Sequence, residues 1–171
     1  MDNNFSNKAI TFAAIFVSIC ALFVSIYQTR ILSQQKDASV WPYVRYGPSY
    51  GENYFYVTVS NDGVGPAIID EMKYIYNDSI FYYIDELGDY IIEEIKQDSI
   101  LYDGGFTYSN LENQGRALKA GEAIKIINFL NADTEFLKAF RDKANEVTIR
   151  IKYCSIYKTC WLNVNNSIEQ K

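Results

Sequence analysis

The chain has 171 residues, a net charge of −5 and no histidine. The missing imidazole excludes His-based acid–base catalysis, Ser-His and Cys-His nucleophile pairs and every His metal site. Three cysteines cannot supply the four Cys or His ligands of a structural zinc, and 15 Tyr with 10 Phe do not suit a disordered chain.

Residues 9–29 form a run of 21 positions without a charged side chain, bounded by Lys8 and Arg30. A bilayer core about 30 Å thick needs ~20 apolar residues in a helix. A single transmembrane helix is therefore expected at 9–29, after a short tail at 1–8. Thr11, Ser18 and Ser25 can return their hydroxyls to helix carbonyls, and Tyr27 suits the lipid interface. A cleaved signal peptide has a shorter apolar core, a basic start and a small-x-small cleavage site. Here the start is barely basic, and Ser25 to Arg30 is a poor cleavage site. Cys20, with Ile19 before it and apolar sequence after it, does not suit lipidation. The reading is an uncleaved anchor whose partner is the lipid bilayer. Arg30 and Lys36 follow the span, while Lys8 alone precedes it, opposed by Asp2. The positive-inside rule then leans toward a cytoplasmic domain by one charge, and the extracytoplasmic orientation stays open.

Thr11, Ala14, Ser18, Ala21 and Ser25 are spaced 3, 4, 3, 4, a heptad seam that continues as Gln28, Leu32 and Gln35. Small residues let helices approach closely in lipid, so the seam suggests self-association. The competing reading is chance, since Ala, Ser and Thr are common in such helices.

Residues 30–40 read as a stalk that ends at Trp41-Pro42, because Pro disfavours a helical residue before it. Residues 41–165 form the expected β-rich domain, and 166–171 a tail. Val40 to Tyr46 is a first extended segment. Tyr54 to Ser60 alternates, with Phe55, Val57 and Val59 on one face. Asn61-Asp-Gly-Val-Gly-Pro66 is a turn, lacking the continuation of a dinucleotide-binding glycine fingerprint. Ala67 to Tyr76 is the next strand. Ile84, Leu87, Ile91 and Ile95 recur at 3 or 4 and predict an amphipathic helix with Glu86, Asp89, Glu93 and Glu94 outside. Gly88 weakens that helix by ~1 kcal/mol relative to Ala. Ile100 to Tyr108 reads as extended, Gly115 to Gly121 as a turn region and Glu122 to Leu130 as a strand. Asp133 caps a short helix that buries Phe136, Leu137 and Phe140, with Lys138, Arg141 and Lys143 toward solvent.

Val147 to Tyr153 alternates strictly and returns after a turn as Cys160 to Val164. Cys154 and Cys160 flank that turn and can lie opposite each other. Three readings compete: a structural disulfide, which needs an oxidising compartment; two reduced thiols packed beside Trp161; and a redox switch. The acids concentrate between Asp70 and Asp103, which read as a solvated face or as a surface for a basic protein. With no concentrated basic patch, nucleic acid is not an expected partner.

Tyr153-Cys-Ser-Ile-Tyr-Lys-Thr-Cys-Trp161, Asn61 to Ala67 and Gly121-Glu122 resemble motifs of uncharacterised bacterial single-pass membrane proteins. The resemblance covers most of the chain. It implies a shared membrane-anchored fold and transfers no catalytic residue.

The expected fold is thus a transmembrane helix plus one mainly-β (α+β) domain. It is an antiparallel β-sandwich of about six or seven strands with two short inserted helices, immunoglobulin-like first and a small open barrel second. The expected function is a membrane-anchored, non-enzymatic interaction or sensor module that self-associates, with a protein partner and no cofactor or metal. A membrane-acting effector, for example in antiviral defence, is one alternative. A carboxylate-based enzyme, needing a cleft with paired acids, is the other.

Overall fold

The computed structural model describes residues 3–98, 100, 102, 104–111, 115–130 and 132–170, the side chains of 3–9 excepted. It divides into two compact units, one ending at Ser39 and one beginning at Val40.

The first unit is a single helix, α1 (Asn3–Ser39). From Ile10 to Ser39 it is long and apolar enough to cross a membrane, and none of it is buried within the chain. A signal sequence near an N-terminus meets the same criterion. The hydroxyl of Ser18 donates to the Ala14 carbonyl at 2.8 Å and that of Thr29 to the Ser25 carbonyl at 2.9 Å. These polar groups are therefore satisfied inside the helix.

The second unit has ten strands and two helices among the described residues. In chain order these are β1 (Val44–Tyr50), β2 (Tyr54–Asn61), β3 (Ala67–Tyr76), β4 (Ser79–Phe81), α2 (Ile84–Gln97), β5 (Thr107–Tyr108), β6 (Arg116–Leu118), β7 (Ala123–Leu130), α3 (Thr134–Ala144), β8 (Thr148–Cys154), β9 (Cys160–Val164) and β10 (Ser167–Gln170). One sheet runs β1-β2-β7-β5 and the other β10-β9-β8-β3-β4, with β6 also on β3. Every described pairing is antiparallel.

Side chains from both sheets and both helices form one core. Phe55, Val57 and Val59 point inward from β2, and Ile149, Ile151 and Tyr153 from β8, as period-2 alternation requires. Two register shifts break that period. The one at Val57/Thr58 lets β7 bury both Ile126 and Ile127. The one between Ile69 and Glu71 leaves Asp70 outside while Ile69 and Met72 stay in.

Three expectations change. The tail from 166 carries β10, which pairs with β9. The turn region 115–121 contains β6, whose Leu118 is fully buried. The strand number rises because β4, β5, β6 and β10 hold two to four residues each, too few to show a period. In the extended piece Ile100 to Tyr108, only Thr107–Tyr108 is a strand, and residues 101 and 103 lie outside the described set.

Asn61, at the end of β2, is buried and makes six hydrogen bonds. Its Oδ1 accepts from the amides of Tyr43 and Gly63, both at 3.1 Å. Its Nδ2 donates to the carbonyls of Gly65 at 2.8 Å and Leu118 at 3.0 Å. Its own N–H donates to the Glu122 carbonyl, and its carbonyl accepts from the Gly121 N–H. The turn it folds lies against the domain's first residues so closely that a Cβ on Gly65 would stand 2.1 Å from the Val40 carbonyl oxygen.

Asparagines also close the outer edge of β1. Asn163 Nδ2 donates to the Val44 carbonyl at 2.7 Å. The Asn166 side chain accepts from the Tyr46 N–H and donates to its carbonyl. Backbone groups that an edge strand would leave open are thus occupied from the other sheet.

Removing the Asn61 amide strands two donors and two acceptors, and a buried unmatched polar group costs ~1–3 kcal/mol. Asn61→Ala is expected to lower the unfolding free energy by about 3–5 kcal/mol. Urea titration of the full chain in detergent, followed by tryptophan fluorescence, measures it. A loss under about 1 kcal/mol contradicts this role.

Candidate functional site

The seam residues lie along α1. Thr11, Ala14 and Ser18, with Ile15, Ile19 and Leu22, line a shallow, open slot on the surface of this helix. Ala21 and Ser25 continue the spacing but do not line that slot. Since the Ser18 hydroxyl is bound to its own helix, the slot offers close packing rather than a free hydrogen-bonding group.

The register of β8 and β9 sets Cys154 directly opposite Cys160, and the two are joined as a disulfide. The hairpin between them is held by Ser155 N–H to the Thr159 carbonyl and Lys158 N–H to the Ser155 carbonyl. Its tip carries Ile156 and Tyr157, both exposed.

The domain also holds a groove that the sequence reading missed. It lies between α2 and a second wall that includes Tyr102 and Phe106, and measures about 580 Å³. One wall is a stripe of α2 with Asp85, Asp89 and Glu93 at successive turns, Lys96 beyond them and buried Ile92 at its base. Lys96 is already paired with Glu93 at 2.8 Å. The opposite wall is Tyr102, Gly104, Gly105, Phe106 and Tyr108.

That second wall is fixed by packing. A Cβ on Gly88 would come within 2.8 Å of the Phe106 ring, so the glycine that weakens α2 is what lets Phe106 lie on it. The Tyr102 ring stacks on Phe136 of α3 with centroids 3.9 Å apart, and its hydroxyl donates to the Gly105 carbonyl at 2.8 Å. Asp85 Oδ1 is shielded from solvent and has no hydrogen-bond partner among the described residues. Asp85, Asp89 and Glu93 come from one wall, and among the described residues no carboxylate faces them from the other. No group of three or more His, Cys, Asp or Glu suited to a metal occurs among the described residues.

No family model, no curated protein and no solved structure matches the chain.

Away from the groove, α2 is pinned by charge. Glu94, expected on the outer face, is half-buried: it accepts from the Tyr76 hydroxyl at 2.8 Å and pairs with Lys143 of α3 at 2.8 Å. Lys143, expected toward solvent, is mostly covered. Helical spacing placed both residues on the margin of the apolar stripe, and the packing of α2 against α3 covers that margin. The hydrogen bond from Lys143 holds the Glu94 carboxyl below its ordinary value, against the opposing effect of burial. The same bond raises Lys143. Burial first, and the bond to Glu94 second, raise Tyr76.

A depressed carboxylate stabilises fully above its unfolded value, here 4.5, and loses that contribution as pH falls through the folded value. A raised lysine stabilises fully below 10.5 and loses its contribution as pH rises through the folded value. Chemical unfolding midpoints are therefore expected to fall as pH drops below about 4.5, and Glu94→Gln should make that acid limb shallower. An acid limb of unchanged depth in Glu94→Gln contradicts the role of the pair.

Proposed function

We propose that this protein is a membrane-anchored, non-enzymatic interaction module that self-associates through its helix. The observation that carries the proposal is the exposure of every residue of α1 from Ile10 to Ser39 within its own chain. An uncharged run of 21 residues needs a lipid or protein cover, and a bilayer supplies it. The small-residue slot along Thr11, Ala14 and Ser18 gives a second copy a place to pack. Two antiparallel sheets around one core support a sandwich of immunoglobulin-like character, with α2 and α3 in two of the crossings between sheets. The likeness to bacterial single-pass proteins belongs to the same proposal. The non-enzymatic reading rests on the absence of histidine and on carboxylates that share one wall instead of facing each other.

Two signals for the side of the membrane oppose each other. Flanking charge favours a cytoplasmic domain by one residue, whereas a Cys154–Cys160 disulfide persists in an oxidising compartment. We give the disulfide more weight, because directly opposed cysteines leave little to chance in their pairing.

Two measurements test the proposal. Replacing Ser18, Ala21 and Ser25 together by Leu is expected to convert the detergent-solubilised oligomer to monomer in sedimentation; an unchanged mass contradicts the seam. In intact cells, a membrane-impermeant maleimide is expected to label Cys154 and Cys160 only after an impermeant reductant. Labelling that requires cell lysis contradicts the outside orientation.

A further inference from the structure

We propose that one end of the β-rich domain is a membrane-contact surface whose loops enter the interfacial zone of a lipid bilayer. This rests on the anchor reading and goes beyond it, because it assigns lipid contact to the folded domain as well as to the helix.

Strand register collects four segments at that end. β3 begins at Ala67, and its first residues pair with the last residues of two other strands: Ala67 with Leu118 of β6, and Ile68 with Cys154 of β8. The chain beyond each of those strand ends therefore projects past the start of β3. It does so as the Lys119–Glu122 turn and as the disulfide-closed hairpin from Ser155 to Thr159. The turn that follows Asn61 leads into β3 at the same end. There the Trp41 carbonyl accepts from the N–H groups of Val64 at 3.0 Å and Gly65 at 3.3 Å. The residues that open the domain thus belong to this end too.

These segments expose Trp41, Val64, Ile156 and Tyr157, each at least 43% exposed. Tryptophan and tyrosine settle where headgroups meet acyl chains, because their rings join an apolar body to a polar atom. Val64 and Ile156 offer no polar side-chain atom, at turns where small and polar residues are the rule. The hairpin backbone is closed on itself by Ser155 N–H to the Thr159 carbonyl and Lys158 N–H to the Ser155 carbonyl. Backbone groups matched internally lower the cost of approaching lipid. Lys119 and Lys158 stand beside the apolar side chains, and neither forms an ion pair among the described residues. The acids of this end are engaged, Asp62 with Arg45 and Glu122 with the Lys119 N–H.

Connectivity names the bilayer as the cover. α1 runs to Ser39, and the domain starts at the next residue. From Arg30, where the uncharged run ends, the helix rises about 14 Å to Ser39, and the headgroup layer takes up about 5–7 Å of that. Trp41 therefore emerges within about 10 Å of the headgroup surface. The opposite end, where β3 meets β4, exposes Ile80 but has no such link to lipid.

The test uses the full chain in phosphatidylcholine nanodiscs with a tryptophan reporter. In a Trp41→Phe parent, which keeps only the buried Trp161, Ile156→Trp reports on the hairpin tip and Ile80→Trp on the opposite end. Ile156 and Ile80 are exposed, so both variants are expected to keep the parent melting temperature. Phosphatidylcholine spin-labelled near its headgroup is expected to quench the added emission at 156 by about a third or more, and that at 80 by about a tenth at most. Lipid labelled at the chain terminus should quench 156 about threefold less, as an interfacial depth requires. Adding Val64→Ser and Tyr157→Ser should lower the quenching at 156 about twofold. Emission at 156 that spin-labelled lipid does not change, whether water or another protein chain surrounds the site, overturns the proposal. Equal quenching at 156 and 80 does so as well. Either outcome leaves the anchor reading standing, whereas a chain that fails to enter the discs overturns both.

Discussion

Asn61 joins parts of the domain that are far apart in the chain. Its side chain and backbone reach the segment entering β1 at Tyr43, the turn at Gly63 and Gly65, the end of β6 at Leu118 and the Gly121–Glu122 turn before β7. β2 belongs to one sheet and β3 to the other, so the turn folded by Asn61 is the first crossing between them. An amide is the side chain that can do this, because it offers two donors and two accepting lone pairs on one planar group. Aspartate would accept the Tyr43 and Gly63 amides but present no donor to Gly65 or Leu118. Burial makes complete matching necessary, since an unmatched group in the core costs more than a hydrogen bond gains. Gly65 answers the same demand sterically by letting the turn close on Val40.

From that crossing the rest of the domain can be assembled. β1 is seated on β2 and sealed along its other edge by Asn163 and Asn166. Two of the later crossings carry α2 and α3. These two meet each other: Phe136 and Phe140 seat α3 on Phe129 of β7, and Glu94 ties α2 to Tyr76 of β3 and Lys143 of α3. Once α2 is fixed in this way, its remaining face becomes a wall of the acidic groove. Glu94 holds α2 down through Tyr76 and Lys143, while Asp85, Asp89 and Glu93 line the groove on its other side.

Long periodic segments were legible in the sequence. β2, β3, β8, β9 and the buried faces of both domain helices follow from alternation or 3.6-residue spacing, and the Asp133 cap is seen accepting from Glu135 N–H. Strands of two to four residues were not legible, because a pairing partner and not a period defines them. The groove was hidden for a related reason. Its acidic wall read as solvated, and the rings of its other wall are placed by contacts distant in sequence, Phe106 on Gly88 and Tyr102 on Phe136. Glu94 and Lys143 show the limit of helical wheels: residues at the border of an apolar stripe are exposed or covered according to what packs alongside. The polar character of Asn61 marked a turn, and only the fold reveals how many segments that turn holds.

The account as a whole depends on α1 remaining attached as an anchor. Alkaline carbonate extraction of membranes, followed by intact mass measurement of the recovered chain, tests this most directly. The chain is expected in the membrane pellet with the α1 segment still attached. Recovery in the supernatant, or a mass reduced by removal of the α1 segment, would contradict it.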